Sequence, residues 1–415
     1  MQLCPLFCLV LLSLQGVHLL RHKHSRKIWK RATELPVVAT EAPGNRNFTF
    51  DLFRALVAAG PDQNVFLSPL SISTTLAMIS LGTGSNTRAQ ILEGLGLSPQ
   101  GGPEEEEELH KGFHRLLQEL NRPRLSLQLS LGNALFIKPA VHVQDAFLGA
   151  MRTLYLADTF PTDFEDPAGA QKQINDYVTK QTQGKIVDLV KDLDGSEVMV
   201  MVNYIFFKAK WEKSFDRKST QKQDFYVTPE MVVQVPMMRS EDKYYYLLDR
   251  SLYCKVVGIP YQGNATALFI LPHEGRMEKV EAGLSQETLR RWLRELTKRK
   301  LQLYLPKFSI EGSYQLEKVL PQLGIRDLFT SQADLTGFTN HSNIQVSGMM
   351  HKAIVEVDES GTKAAAVTGM MFAFKSAHVG SQMLMFNRPF LISIVENENI
   401  LFFGKVVRPS GGDFS

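Results

Sequence analysis

Apolar residues recur along the chain with two different periods. Three segments repeat them at helical spacing and predict helices over residues 48–58, 71–81 and 168–183. Shorter apolar or alternating runs predict strands, mostly in the later part of the chain: 125–136, 198–207, 252–259, 266–271, 301–305, 353–357, 390–395 and 400–407. Helices cluster early and strands late, without a regular strand–helix alternation. The order therefore indicates an α+β fold with antiparallel or mixed sheets.

The N-terminal end differs from the rest of the chain. A mainly apolar run over residues 5–14 is too short to span a bilayer and is typical of a secretory signal peptide, which we place at residues 1–19. Residues 20–45 contain RHKHSRKIWKR and predict a mobile basic tail. Residues 46–415 contain no low-complexity linker or internal repeat, which predicts one globular domain. We therefore expect a secreted, extracellular protein without a transmembrane segment.

Cysteines and glycosylation triplets agree with export. Cys4 and Cys8 lie inside the predicted signal, so Cys254 alone remains and no internal disulfide can form. Asn-x-Ser/Thr triplets make three asparagines candidates for glycosylation: Asn47, Asn264 and Asn340. The fold must then rest on its apolar core, which a hydrophobic content of 44% can supply.

Composition and motifs argue against an enzyme. The chain has 46 basic and 43 acidic residues, a net charge of +3, so an electrostatic function must come from local clustering. The sequence contains no G-x-S-x-G elbow, no complete glycine-rich dinucleotide loop and no H-E-x-x-H motif. His110 and His114 share one predicted helix face, but no third ligand accompanies them, and we expect a solvated face. We expect no catalysis, metal or other cofactor.

The segment LSQETLRRWLRELTKRK, residues 284–300, predicts an amphipathic helix. At about 100° per residue, its apolar side chains share one stripe and a set of cations lies opposite. Those cations are Arg290, Arg291, Arg294 and Lys298, with Arg299 and Lys300 at the expected helix end. Few acidic residues balance this run, which favours a polyanion-binding face over a solvated one. In a secreted protein the polyanion would be heparin or another sulfated glycosaminoglycan and not nucleic acid.

Four long motifs resemble the serpin family. They are NVFLSPLSISTTLAMISLGTGSNT (64–87), VNYIFFKAKWEKSF (202–215), HKAIVEVDESGTKAAA (351–366) and FNRPFLISI with ILFFGKVVRP (386–409). Their order and spacing match the family over residues 47–409. The resemblance implies three β-sheets, eight or nine helices, a monomer with a metastable native state, and inhibition of serine proteases.

The same resemblance assigns residues 359–380 to an exposed reactive-centre loop. Lys375 and Ser376 match the two sides of the bond that a protease attacks, and the loop hinge corresponds to Gly361, Thr362, Ala364, Ala365 and Ala366. In the family mechanism the cleaved loop enters the main sheet and carries the attached protease with it. The alternation of side chains along a strand is compatible with this insertion. One face would carry residues that can be buried, at positions 362, 364, 366, 368, 370 and 372, and Lys363 would lie on the other face.

Further motif residues match positions that, in the family, hold the main sheet together where it opens. Ser68, Ser71, Asn203 and His351 match the shutter, a hydrogen-bonded cluster where that sheet parts, and Trp211 matches the breach at its top. His351 is therefore expected to be a structural histidine and not a catalytic base. The basic helix matches one that binds heparin in a member of the family.

Lysine before the cleaved bond suits trypsin-like proteases, whose specificity pocket is acidic. The resemblance implies partners such as activated protein C, thrombin, factor Xa, kallikreins, urokinase, acrosin and trypsin. Similar members usually carry arginine at this position, and arginine and lysine are not interchangeable in such contacts. We therefore expect arginine-selective proteases to be weaker targets than trypsin or plasmin. The alternative is a non-inhibitory carrier of a lipophilic hormone or retinoid on the same scaffold.

Overall fold

The computed structural model describes residues 47–124, 127–361 and 381–410. These ranges contain eight α-helices, none with the length and apolarity that crossing a bilayer requires. They are α1 (Phe48–Ala59), α2 (Pro69–Ser80), α3 (Ser85–Gly94), α4 (Pro103–Leu120), α5 (Asp145–Tyr155), α6 (Pro167–Gln181), α7 (Met277–Ala282) and α8 (Gln286–Glu295). The three helices predicted from periodicity correspond to α1, α2 and α6, with bounds that agree within two residues.

Capping residues explain where several helices begin. The side chains of Ser68 and Asp166 accept hydrogen bonds from the backbone N–H of Ser71 and Gly169, and a proline follows each cap. Proline suits the first helical position because its missing N–H would have no partner there. Ser285 caps α8 in the same way, without the proline.

Fourteen strands in the described ranges form two hydrogen-bonded sheets. They are β1 (Val65–Leu67), β2 (Leu127–Ile137), β3 (Asp158–Pro161), β4 (Met199–Ala209), β5 (Gln221–Tyr226), β6 (Val232–Asp249), β7 (Cys254–Pro260), β8 (Ala265–Pro272), β9 (Thr297–Pro306), β10 (Phe308–Gln315), β11 (Gly348–Val357), β12 (Gln382–Met385), β13 (Phe390–Glu396) and β14 (Asn399–Val406). A five-stranded sheet, here called the main sheet, has the order β10-β11-β4-β2-β3. The nine-stranded second sheet has the order β1-β14-β13-β8-β7-β6-β9-β12, and β5 also pairs with β6.

The α+β class is confirmed, and the long strand β6 explains how the sheets connect. Residues 232–237 of β6 pair with β5, residues 237–246 with β9, and residues 245–249 with β7. Two of the three expected sheets are thus continuous through the hydrogen bonds of one 18-residue strand.

Helices cover both faces of the main sheet. On one face, Ile174 and Val178 of α6 pack in a buried cluster with Phe136 of β2 and Val202 of β4. On the other, α2 contacts β2 and β4 and also reaches β14 of the second sheet. Ten of the twelve residues of α2 are buried, as expected for a helix enclosed on all sides. The N-terminus of α2 therefore lies against the centre of the main sheet.

Candidate functional site: the main-sheet seam and the basic region

The central feature of the main sheet is a parallel pairing between β4 and β11, here called the seam. It runs from Val200 opposite Gly348 to Phe206 opposite Ile354. Each strand has an antiparallel neighbour on its outer side, β2 for β4 and β10 for β11. The seam therefore separates a three-stranded part of the main sheet (β4, β2 and β3) from a two-stranded part (β11 and β10).

The predicted shutter residues meet in the middle of the seam. His351 lies opposite Asn203, and its Nδ1 is 2.5 Å from Asn203 Oδ1. The backbone N–H of Ser68 donates to Nε2 of His351 at 3.1 Å, so the proton of the neutral ring lies on Nδ1 and is donated to Asn203. Ser71 Oγ donates to the same amide oxygen at 2.7 Å. The structure thus brings together residues from α2, β4 and β11, all with no exposed surface.

Two further polar residues extend this cluster, and the sequence motifs did not identify them. Asn203 Nδ2 donates to Asn133 Oδ1 of β2 at 2.8 Å, and Thr75 of α2 donates to the same oxygen. Thr75 follows Ser71 by one helical turn, and Asn133 is polar within an apolar strand. These two signals could have located them, because a buried polar side chain needs a partner.

Complete burial determines the charge state of His351. Loss of solvation disfavours the imidazolium and lowers the pKa of His351 to about 3. The ring therefore stays neutral at physiological pH, as a structural histidine requires. It has no catalytic geometry in this setting, since its partners are an amide oxygen and a backbone N–H.

Trp211 lies at the upper end of the seam, where the breach was predicted. Its side chain is fully buried, and its indole Nε1–H donates to the carbonyl oxygen of Asp358 at 2.9 Å. The ring stacks on Tyr261 with centroids 4.2 Å apart. Trp211 thus ties the end of β4 to the residues that follow β11.

Glu359 is buried at the same end, which corrects the predicted start of the exposed loop. Only 6% of its side chain is exposed, and its carboxylate accepts from Thr220 Oγ1 at 2.8 Å and Lys307 Nζ at 3.1 Å. Burial alone would raise the pKa of Glu359, but these hydrogen bonds hold it below its ordinary value. Residue 359 therefore belongs to the end of the main sheet and not to an exposed loop.

Gly361, a predicted hinge residue, is the last described residue before position 362, and its backbone needs glycine. Its φ is +119°, and it forms an isolated bridge with Lys210. A Cβ atom here would lie 2.4 Å from the carbonyl oxygen of Ala209. The predicted reactive bond, Lys375–Ser376, and the predicted hinge residues Thr362, Ala364, Ala365 and Ala366 lie outside the described residues.

The predicted 284–300 helix is wrong in its last five residues. α8 ends at Glu295, and Leu296 adopts ψ of 125°, which takes the chain out of the helix. Lys298, Arg299 and Lys300 instead belong to β9 and pair with Tyr245, Tyr244 and Lys243 of β6. Only Arg290, Arg291 and Arg294 share the helix, so four cations on one helical face do not occur. We call these three arginines and three β9 cations the basic region.

The expectation of scarce acidic balance is also wrong. Ion pairs join Arg291 to Asp249 at 2.5 Å, Arg294 to Glu287 at 2.9 Å, and Lys300 to Glu241 at 3.0 Å. Lys298 lies over the ring of Tyr245, with Nζ 5.2 Å from its centroid. Each partner except Glu287 comes from β6, about 40 to 60 residues earlier in the chain, so local sequence could not reveal it.

The histidine pair is not a solvated face. His110 is buried, its Nδ1 contacts the hydroxyl of Tyr155, and its Nε2 lies 3.7 Å from a carboxylate oxygen of Glu106. His114 Nδ1 approaches the carbonyl oxygen of Leu154 at 3.1 Å instead of a shared ligand. Within the described ranges, no group of three side chains is arranged to hold a metal ion.

The remaining candidate residues have simple surroundings. Asn264 and Asn340 are exposed, whereas Asn47 is half-buried at the N-terminus of α1. Cys254 is a buried free thiol at the start of β7.

Comparison with known proteins identifies the family. The sequence profile of the serpins, described as serine protease inhibitors, matches residues 43–409. The chain belongs to the serpin family, which confirms the resemblance in its motifs. Plasma serine protease inhibitors from Bos taurus and Homo sapiens are each 67% identical to it, over 99% of this chain and 100% of theirs.

Two solved structures share the fold closely. Human thyroxine-binding globulin complexed with thyroxine superposes with a TM-score of 0.83 and 40% identity, covering 88% of this chain and 98% of that one. Human glycosylated kallistatin gives 0.82 and 43%, covering 90% and 98%. The fold therefore does not by itself separate an inhibitor from a hormone-binding protein.

Proposed function

We propose that this chain is a secreted suicide inhibitor of trypsin-like serine proteases. The observation that carries the proposal is the seam. β4 and β11 pair directly with each other, and the chain leaves β11 for the reactive loop at the upper end of that pairing. Parallel pairing is slightly less stable per residue than antiparallel pairing, so this interior junction is a suitable place for the sheet to open.

The chemistry begins at Lys375. The serine hydroxyl of the protease attacks the carbonyl carbon of Lys375, an ester bond forms, and the Lys375–Ser376 peptide bond breaks. The nitrogen of Ser376 takes up a proton and leaves as a new amine. The freed loop then enters the seam as a strand before water hydrolyses the ester, and the protease remains attached.

Insertion requires the shutter to rearrange. His351 of β11 and Asn203 of β4 face each other across the seam, so a strand placed between them separates this hydrogen bond. Both side chains are buried and must find new partners, because an unpaired buried polar group costs about 1–3 kcal/mol. The shutter therefore acts as a barrier that keeps the sheet closed until the loop is cut.

Incubation with trypsin tests the covalent step. The intact chain should form a complex that survives boiling in SDS, and Lys375→Ala should abolish it. Lys363→Ala is the matched control, since it removes another lysine of the same loop and should leave the complex intact. Recovery of only cleaved chain and active trypsin would contradict the proposal.

Target preference follows from lysine at the attacked bond. We propose faster inhibition of trypsin and plasmin than of arginine-selective proteases such as thrombin and activated protein C. Second-order rate constants over a protease panel that adds factor Xa, kallikreins, urokinase and acrosin test this order. Lys375→Arg should shift the preference toward the arginine-selective group.

We also propose that heparin or another sulfated glycosaminoglycan modulates inhibition through the basic region. Arg294 and Lys298 are exposed, and polyanion binding releases counterions, so affinity should fall steeply with salt. Replacing Arg290, Arg294 and Lys298 by glutamine together should lower the NaCl concentration at which the chain elutes from heparin. Unchanged elution would direct attention to residues 20–45.

Secretion and the carrier alternative each have a direct test. Protein recovered from culture medium should begin near residue 20, after removal of the signal. Likeness to thyroxine-binding globulin favours hormone binding as a second candidate function. Cleavage of the loop should raise the melting temperature sharply if the loop inserts, whereas a carrier without insertion should show little change.

A further inference from the structure

Asp249, at the C-terminal end of β6, is a buried carboxylate with an unusually full set of donors. The residue is 2% exposed. Its Oδ1 accepts from Ser251 Oγ at 2.6 Å and from the backbone N–H of Ser251 and Leu252 at 2.9 and 3.0 Å. These contacts fix the turn that leads from β6 into β7.

The second oxygen of the same carboxylate faces the basic helix. Asp249 Oδ2 accepts from Trp292 Nε1 at 2.7 Å and from Arg291 Nη2 at 2.5 Å. Trp292 has no exposed surface, and Arg291 also lies 3.7 Å from Glu295. One carboxylate therefore joins the β6–β7 turn to α8.

The set of donors keeps this carboxylate ionised. Burial alone would raise the pKa of Asp249, but hydrogen bonds from Ser251, Trp292, Leu252 and Arg291 hold it well below its ordinary value. The negative charge is therefore permanent, and Arg291 is committed to it.

Arg294 provides a contrast within the same helix. It pairs with Glu287, but the two side chains are 64% and 63% exposed, so the pair contributes little and can exchange its partner. Arg291 is only 30% exposed, and the side chain of its partner Asp249 is 1% exposed. The two arginines, three positions apart, thus have different roles: Arg291 tethers the helix and Arg294 is available to a ligand.

We propose that Asp249 is the positioning residue of the basic region, holding α8 through Trp292 and Arg291 so that Arg294 stays presented to a sulfated polyanion. This inference rests on the proposed glycosaminoglycan binding. The inference predicts a change in polyanion affinity, on removal of the Asp249 charge, that is opposite in sign to the change expected from net charge alone. Removing a carboxylate beside a cationic helix should strengthen polyanion binding by charge alone, whereas loss of the tether should weaken it.

The test uses the full chain and heparin of defined length, with the dissociation constant measured over a range of NaCl concentrations. Asp249→Asn should bind heparin about five- to tenfold more weakly, since a buried charge-assisted network is disrupted. Trp292→Phe keeps an aromatic ring and the net charge but removes the Nε1–H donor together with part of the buried ring system, so it should bind about two- to threefold more weakly. Both should keep the wild-type slope of affinity against salt, because the same cations still contact the ligand.

Arg294→Gln is the matched control for a direct contact, and it should lower the salt slope by about one. Asp249→Asn binding as tightly as wild type or tighter would overturn the inference, and so would a wild-type affinity for Trp292→Phe. If Asp249→Asn does not fold, as judged by its melting temperature, Trp292→Phe decides alone. A wild-type chain that fails to bind heparin would refute the glycosaminoglycan proposal itself, a result distinct from failure of the positioning role.

Discussion

Replacing His351 by glutamine should remove a specific loss of stability that the wild-type chain undergoes in acid. The neutral ring donates from Nδ1 to Asn203 and accepts the backbone N–H of Ser68 on Nε2. A second ring proton would point Nε2–H at another donor, in a site without solvent. Protonation is therefore much easier in the unfolded chain than in the folded one.

The magnitude follows from proton linkage. Burial lowers the pKa of His351 to about 3, against about 6.5 in an unfolded chain. The stabilising contribution is complete above the unfolded pKa and is lost as the pH falls from about 6.5 toward 3. Since each pH unit in that window costs about 1.4 kcal/mol, the wild-type chain should lose about 3 kcal/mol between neutral pH and about pH 4.5.

The assay is urea unfolding at several pH values for wild type and His351→Gln, followed by tryptophan fluorescence. Glutamine can donate and accept but does not titrate in this range, and contributions of other groups cancel in the difference. The stability advantage of wild type over the variant should shrink by about 3 kcal/mol on acidification to about pH 4.5. A difference that stays constant with pH would refute the reasoning, because His351 would then have the same pKa in both states.

Three further predictions concern the upper end of the seam and the buried thiol. Glu359→Gln should lower the free energy of unfolding by roughly 2 kcal/mol, because Lys307 loses its buried carboxylate, and unchanged urea unfolding would contradict this. Gly361→Ala should lower the melting temperature more than Gly184→Ala. Both glycines have positive φ, but of the two only a Cβ at 361 would meet backbone atoms. Equal melting temperatures for the two variants would argue against this close approach. Burial raises the pKa of the Cys254 thiol to about 12. Iodoacetamide should therefore label Cys254 slowly at about pH 8 in the native chain and rapidly in urea. Rapid labelling of the native chain would mean that β7 opens readily.

Local sequence patterns predicted the parts of the fold that depend on short-range signals. The bounds of α2 differ from periodicity by two residues because Ser68 and Pro69 start the helix earlier than the apolar repeat does. Strands β13 and β14 were predicted because apolar runs dominate their sequences. The structure agrees with those runs, since every residue of the two strands but one is buried. Strand β5 was missed because most of its residues are polar and exposed.

The basic region shows why the remainder was not predictable. Helical periodicity continues through Leu296, but pairing with β6 draws residues 297–306 into a strand. That partner lies far away in sequence, and tertiary contacts override local propensity there. The role of Asp249 could not be predicted for the same reason, since it depends on donors from Arg291 and Trp292, more than 40 positions later.

The direction of the strands at the seam has one more consequence. Because β4 and β11 run the same way, a segment that leaves the C-terminal end of β11 and folds back between them must run opposite to both. Such a strand would replace one parallel ladder by two antiparallel ladders, the pairing that gives straighter hydrogen bonds and more stability per residue. The topology of the closed sheet would thus favour a six-stranded product, and in the proposed mechanism the cut at Lys375–Ser376 is what allows that product to form.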